Sequence, residues 1–298
     1  DLVLGILQCK IPKGRQAGVL WYLVSPERSE GDMPELPEVE TIKRELEKAV
    51  LGKKINEVCV HHPTVIRQPS VDKFKKGLAG VSFEKILRKA KVLILELSNG
   101  KSLVIHLKMT GQLVYPGDGK KSRVSFRLDD GKTLDFNDQR LFAELRLMDD
   151  WRSLKFIQGL GPEPFNLSLQ QFKAMLDKKK TKIKPLLMDQ TFISGIGNLY
   201  AAEILFRAKI HPGKSASSLS DKEKETLFKE IKDTLNEAIH YKGSSVDQYV
   251  QLSGEPGDYV KHHKVYDREG KPCLVCKTPI KRIALGGRGT YFCPKCQK

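Results

Sequence analysis

No stretch of this 298-residue chain approaches the roughly 18 consecutive apolar residues that a membrane-spanning helix needs. The chain also lacks internal repeats, which sets aside solenoids and propellers. Cysteine is scarce, six in all, and Cys9 and Cys59 stand alone while the other four form two pairs at the C-terminus. That is not a disulfide framework, and a reducing cytoplasm is the expected compartment. Acidic residues are the minority: 36 Asp and Glu against 52 Lys and Arg leave a net charge of +16. A globular chain this basic meets a polyanion, with nucleic acid ahead of a membrane surface, unless the excess is merely solvated. Residues 1–32 carry no motif. They open on Asp1, and the apolar run at 19–24 is too short for a membrane span or a signal core. Residues 25–32 read as linker. The segment up to Met33 is expected to be upstream sequence, absent from the mature protein; the other reading is a genuine extension.

What is present divides into parts. The length suffices for two ordinary domains, and 40% hydrophobic residues can bury a sizeable core. Residues 38–51 place Val39, Ile42, Leu46 and Val50 at helical spacing, closed by Gly52. Residues 55–60, 81–87, 92–97 and 102–107 read as strands. So do 123–128 and 133–136, joined by the hairpin turn Asp129-Asp130-Gly131-Lys132. The expectation is an α+β multidomain chain: a helix plus a β-sandwich over 34–158, then a boundary at the Gly- and Pro-rich run 159–164. Beyond it, 169–178, 183–189, 199–208 and 221–240 are helix candidates, the last opened by the capping box Ser220-x-x-Glu223. Residues 243–259 read as a mobile loop able to close over a ligand. The helical domain is expected over 159–264 and a small basic module over 265–298.

The stretch Met33-Pro34-Glu35-Leu36-Pro37-Glu38 supports two readings. Prolines suit the first turn of a helix, where their missing N–H costs nothing. Alternatively, clipping after Met33 would leave Pro34 as a terminal secondary amine. With a reference pKa of about 7.7–8.0, such an amine is partly neutral and nucleophilic near pH 7.

The pairs Cys273-x2-Cys276 and Cys293-x2-Cys296 suit one tetrahedral, structural zinc ion on a hairpin. Between them Arg288 lies among Gly286, Gly287 and Gly289, placed to reach a groove or a phosphate. Ser194-Gly195-Ile196-Gly197-Asn198 links two helix candidates, either as a plain connector or as a phosphate-facing turn. Residues 178–184 just before it hold five lysines in seven positions, Lys179 and Lys184 among them. Lys91 stands at the head of an apolar strand, and His106, within another, reads as a satisfied core histidine. Met109, Arg140 and Phe142 follow strands, where they could wedge into a base stack or simply pack.

Together these residues resemble the formamidopyrimidine-DNA glycosylase family, bacterial base-excision enzymes for oxidised purines. The resemblance runs from Pro34 to Lys298. It rests on PELPEVE, RKAK, HLKMTG, the DxRxF stretch, KKKTKIKP, LMDQ…GIGNLYAAEILF and a zinc finger ending FCPKCQK. PELPEVE favours the oxidised-purine branch over endonuclease VIII. The resemblance implies a helix–two-turn–helix domain and a glycosylase with AP lyase activity, using one structural zinc and no redox cofactor. Its partner would be duplex DNA containing 8-oxoguanine or formamidopyrimidines, met as a monomer in the bacterial cytoplasm. It implies Pro34 as nucleophile, Glu35 as acid, Lys91 as helper in the lyase steps and Arg288 in late elimination or phosphate contact. Asn198 and Lys184 fall on phosphate-binding positions, Lys179 in the same basic run. Met109, Arg140 and Phe142 correspond to the residues that fill the hole left by an extruded base, and 243–259 to the loop that covers it. Lys121 stands where the family often has a DNA-contacting histidine, and Arg140-Leu141 replaces a common arginine pair. If residues 1–33 were retained, the chain would be a catalytically silent DNA-binding module.

Overall fold

The computed structural model describes residues 33–119, 122–246 and 248–298. Residues 1–32 and Lys121, singled out above, lie outside the described residues. Helix α1 (Leu36–Val50) buries Val39, Ile42, Leu46 and Val50 completely or nearly so. It begins two residues earlier than the periodicity predicts. Pro37 fits the first turn, and the Glu35 N–H donates to the Glu38 carboxylate at 2.9 Å.

The first unit continues through β1 (Ile55–Val60), β2 (Ile66–Gln68), α2 (Val71–Leu78), β3 (Phe83–Lys89), β4 (Val92–Leu97) and β5 (Ser102–His106). It closes with β6 (Gly111–Gly117), β7 (Val124–Leu128), β8 (Thr133–Asp138) and β9 (Glu144–Met148). Two sheets result. One is antiparallel, in the order β1-β7-β8-β6; the other runs β2-β9-β5-β4-β3, with β2 parallel to β9. Alternating residues such as Phe126, Leu134, Phe136, Leu103 and Ile105 fill the space between the sheets and α1. This is the expected sandwich. The sequence pass misses α2 because only Phe74 and Leu78 of its eight residues are buried, too few to establish a period.

The second unit is helical: α3 (Lys155–Gln158), α4 (Leu169–Asp177), α5 (Ile183–Met188), α6 (Asn198–Arg207) and α7 (Asp221–His240). Helix α6 is buried along nearly its whole length, with α7 and α5 packed on it. A final hairpin, β10 (Lys281–Leu285) and β11 (Arg288–Phe292), docks on this core, which includes Cys273 and Cys293.

The segment 243–259, expected to be mobile, is fastened to both units instead. Tyr249 and Leu252 are buried in the core of the first unit. Leu252 exchanges backbone and carboxylate bonds there, its C=O accepting from Tyr115 N–H at 2.7 Å and its N–H donating to Glu45 at 2.9 Å. At the other end, Tyr259 is buried in the core of the second unit, and its N–H donates to Gly243 C=O at 2.9 Å. Three apolar anchors in 17 positions leave no periodic trace, which is why the sequence pattern resembles a free loop.

His263 lies beside this strap, its Nε2 2.9 Å from Ser244 Oγ and its ring edge-on to Tyr259 and Tyr266. Burial pushes its imidazole down from 6.5 to about 4. The unfolded chain therefore binds an extra proton between those values, and stability is lost as pH falls through that window. A gap of this size is worth about 3 kcal/mol. The melting temperature is expected to drop as pH is lowered from about 6.5 to about 4, and His263→Gln to flatten that slope. An unchanged slope in the variant would show that other groups carry it.

Candidate functional site

The segment before α1 is buried against the turn that opens α6. Leu36 N–H donates to Gly195 C=O at 3.0 Å. The Glu35 carboxylate accepts from the Gly197 N–H and, at 3.0 Å, from the Leu199 N–H. A carboxyl group is thus held at the positive end of a buried ten-residue helix. A side chain there would displace both groups: a Cβ on Gly197 would lie 2.5 Å from the Glu35 carboxyl and 2.7 Å from Lys91 Nζ. One backbone position therefore touches both side chains, from two different elements.

Lys91 is almost buried, and Ala90 before it holds the left-handed φ of +51°. Such a backbone costs about 1–2 kcal/mol outside glycine, and something must hold it there. Glu163, in the run between the two units, accepts from Ala90 N–H at 2.7 Å and from Arg88 Nη2 at 2.8 Å. Arg88 Nε donates in turn to Glu40 of α1 at 2.8 Å.

A cavity of about 210 Å³ opens beside Glu35 and Lys91, lined also by Met33, His106, Asn198 and Arg288. Arg288 reaches it from the tip of the zinc hairpin, where Gly286 and Gly287 take φ of +60° and +75°. One carboxylate faced by a lysine, an arginine and an amide suits an anionic ligand with a proton donor at hand. A much smaller space on the other side of the segment is lined by Pro34, Glu38, Tyr200 and Tyr249. Met33 and Glu35 border both.

His106 is not a plain core residue. It is half-buried on the cavity wall, its Nδ1 accepts from Lys108 N–H at 3.1 Å, and burial pushes the imidazole down to about 3, leaving a neutral ring with Nε2–H free to donate.

Lys184 also differs from expectation. It is wholly buried, and its ammonium donates to Asn198 Oδ1 at 2.6 Å, Thr290 Oγ1 at 2.8 Å and Gly289 C=O at 3.3 Å. A buried ammonium must satisfy its donors, and these contacts make Lys184 join α5, α6 and the zinc hairpin. It also orients Asn198, whose Nδ2 donates to Tyr266 Oη at 3.3 Å. Lys179 is exposed, its ammonium 5.9 Å from the Phe192 ring.

Met109, Arg140 and Phe142 converge from two loops. Arg140 Nη1 is 3.3 Å from Met109 Sδ, and its guanidinium lies 4.8 Å from the exposed Phe142 ring. Buried Asp138 organises the trio, accepting from Thr110 Oγ1, Arg140 N–H at 3.2 Å and Ala143 N–H at 2.8 Å.

Sequence reasoning overlooks Glu38. Its buried carboxyl accepts from Tyr200 Oη at 2.5 Å, Ser244 N–H at 2.8 Å and Glu35 N–H at 2.9 Å. Burial pushes its pKa up from the ordinary carboxylate value. The signal was there, since Glu35-x-x-Glu38 is a capping-box spacing.

The four paired cysteines converge as expected, all four sulfurs within 4.8 Å of one another, with Cys276–Cys293 at 3.4 Å and Cys273–Cys296 at 3.9 Å. Four thiolates about 2.3 Å from a tetrahedral zinc would stand about 3.8 Å apart. The set fits one closed, structural ion.

A basic two-unit chain with a buried acid at a helix start, a cationic cavity and a zinc hairpin is a nucleic-acid-processing enzyme. Three sequence models match it: the formamidopyrimidine-DNA glycosylase N-terminal domain over 33–145, the H2TH domain of the same enzymes over 160–250, and the zinc finger found in FPG and IleRS over 270–298. The formamidopyrimidine-DNA glycosylase of Desulforamulus reducens is 44% identical over 275 residues, covering 89% of this chain and 99% of its own. The Lactococcus lactis Fpg in complex with an abasic site containing DNA superposes with a TM-score of 0.81 at 33% identity, covering 89% of this chain and 99% of that one. A mutant of the same enzyme with a Fapy-dG containing DNA gives 0.81 at 34% identity, covering 89% and 100%. This chain belongs to the formamidopyrimidine-DNA glycosylase family. It is a DNA glycosylase of base-excision repair that binds DNA and carries a zinc finger.

Glu163→Ala removes one of the two carboxylates paired with the buried Arg88 and leaves Ala90 N–H unmet, and is expected to cost about 1–3 kcal/mol in chemical denaturation. A loss below about 1 kcal/mol would show that Lys91 is held by other means. Stripping zinc with a chelator removes the hairpin that supplies two acceptors to Lys184. Both the melting temperature and the affinity for duplex DNA are expected to fall together, and zinc alone to restore them.

Proposed function

We propose that the protein excises oxidised purines, 8-oxoguanine and formamidopyrimidines, from duplex DNA and then cuts the strand at the abasic sugar. The reading rests on one observation above all: Glu35 and Lys91 meet at Gly197, on the cavity that adjoins the Pro34 segment. The nucleophile in this reading is Pro34, freed of Met33. Its nitrogen attacks C1′ of the damaged nucleotide as the C1′–O4′ bond breaks, and Glu35 gives its proton to O4′. The amine proton then passes to the base, the bond from C1′ to the base breaks, and the nitrogen lone pair completes a C1′=N iminium. The iminium acidifies C2′. Loss of that proton expels the 3′ phosphate (β-elimination), and loss of the C4′ proton expels the 5′ phosphate (δ-elimination). Lys91 serves the elimination steps, and Arg288 and Asn198 hold phosphate, with Lys179 and Lys121 on the flanking backbone. In this reading Lys184 contributes through Asn198 and the hairpin. Extruding a base costs a few kcal/mol, which Met109, Arg140 and Phe142 offset by filling the stack. The enzyme acts as a monomer in the bacterial cytoplasm. Support comes from the Lactococcus lactis relatives, bound to Fapy-dG and abasic-site DNA.

A second reading, a DNA-binding module that does not cut, is favoured by one fact: with Met33 attached, the Pro34 nitrogen is an amide and cannot attack. The two are separated by borohydride trapping on duplex containing 8-oxoguanine opposite cytosine. The protein trimmed to Pro34 is expected to give a covalent adduct through Pro34, and the chain beginning at Asp1 to bind without one. Absence of an adduct from the trimmed protein would end the lyase reading. Glu35→Gln should slow base release by about 10²–10⁴-fold while duplex binding stays within a few-fold.

A further inference from the structure

The turn from Ser194 to Asn198 has a demanding task. It must aim the Gly197 and Leu199 N–H groups at Glu35 while its Gly195 C=O receives Leu36 N–H. Its end enters the α6 ladder, Gly197 C=O accepting from Ala201 N–H at 3.0 Å, but Gly195 and Ile196 lie ahead of it, and Gly195 has a φ of +102°, which fixes nothing by itself because glycine is equally free elsewhere. Two of its remaining polar groups, the Gly195 N–H and the Ile196 C=O, end on one side chain. Gln190 Oε1 accepts from Gly195 N–H at 2.9 Å, and Gln190 Nε2 donates to Ile196 C=O at 2.7 Å. The second Nε2 hydrogen goes to Met188 C=O at 2.8 Å, the last residue of α5. The backbone of Gln190 is itself pinned, its C=O accepting from Gly161 N–H at 2.8 Å. This one carboxamide uses its oxygen and both hydrogens to clamp the end of α5 to both sides of a peptide in the catalytic turn.

From this geometry we infer that Gln190 is a positioning residue for the proton transfer from Glu35, acting through the two-glycine turn. The inference rests on the role of Glu35 proposed above. Gln190 borders the same cavity, but its three polar contacts are to backbone, so its effect reaches the reacting atoms through Gly197 and Leu199. The effect is selective. Base release needs a proton delivered to O4′ from a carboxyl held at a fixed angle. A ready-made abasic site has already lost its base and opens to the aldehyde unaided, so iminium formation and elimination there depend little on that angle. Loosening the turn should therefore damage excision and spare cleavage. A glutamate at this position would keep the acceptor for Gly195 N–H but set a carboxylate oxygen against two carbonyl oxygens.

The test uses the full catalytic protein, trimmed to Pro34, with zinc bound. Gln190→Met preserves length and removes all three bonds; Gln190→Glu preserves one. Single-turnover rates are measured on duplex containing 8-oxoguanine and on duplex with a preformed abasic site, and melting curves check that each variant is folded. For Gln190→Met, base release is expected to fall about ten- to a hundred-fold, a part of what a general acid supplies, with abasic-site cleavage changed less than about three-fold. Gln190→Glu is expected to lose base release at neutral pH and recover it in part as the pH is lowered and the carboxyl regains a donor. Equal losses on both substrates, or no loss on either, would overturn the assignment and leave Gln190 a structural residue. Glu35→Gln run alongside separates the two failures. If that variant still releases base at the wild-type rate, it is the proposed role of Glu35 that falls.

Discussion

The Glu35 carboxylate belongs to one unit and its hydrogen-bond donors to the other. The residue leads into α1 of the sandwich unit, while Gly197 N–H and Leu199 N–H come from the helical unit. The site therefore exists only while the two units are docked. Several buried polar contacts serve that docking. Glu38 ties α1 to Tyr200 of α6 and Ser244 of the strap, and Glu163 ties Arg88 and Ala90 to the boundary run. Each of these carboxylates is buried with several donors around it. An unpaired charge in those places would cost several kcal/mol, so the pairs fix one relative placement more than they add stability.

The zinc module is coupled to the same site through Lys184. The metal sits among cysteines remote from the chemistry, yet β11 supplies Gly289 C=O and Thr290 Oγ1 to an ammonium that also holds Asn198 on the cavity wall. A structural ion thus reaches the active cavity by two routes, the buried ammonium and the Arg288 tip. Loss of the hairpin would leave a fully buried lysine short of acceptors at the start of the helix that receives Glu35.

Much of this was legible in the sequence, and the limits have physical causes. Six of the nine sandwich strands and α4 to α7 announce themselves by periodicity, while β2, β6 and β9 do not, and the cysteine spacing defines the metal site almost uniquely. Pro34, Glu35, Lys91 and Arg288 stand in short motifs whose residue types already suggest chemistry; the fold adds that Glu35, Lys91 and Arg288 share one cavity. What escaped depends on distant partners. Lys184 looks like any other lysine in a basic run, and only the packing of the zinc hairpin shows that its ammonium is buried and bridges three elements. His106 obeys the strand alternation, yet sits where β5 ends at a cavity. Glu163 and Gln190 are single polar residues in loops, invisible to periodicity, and their importance lies wholly in the backbone groups they satisfy. The strap over 243–259 escaped because three aperiodic anchors, Tyr249, Leu252 and Tyr259, suffice to hold it.

Burial of the Pro34 segment carries a consequence of its own. A chain terminus is normally solvated and poorly ordered, and a nucleophile there would lose the advantage of fixed orientation. Here Pro34 is buried between α1 and α6, held by its neighbours Glu35 and Leu36. Met33 borders the spaces on both sides of the segment. In the proposed mechanism the peptide bond between Met33 and Pro34 acylates the nucleophile and keeps Met33 on the cavity wall, so that its cleavage removes both. A fold that positions its terminus by burying it couples processing of that terminus to both the reactivity and the accessibility of the site.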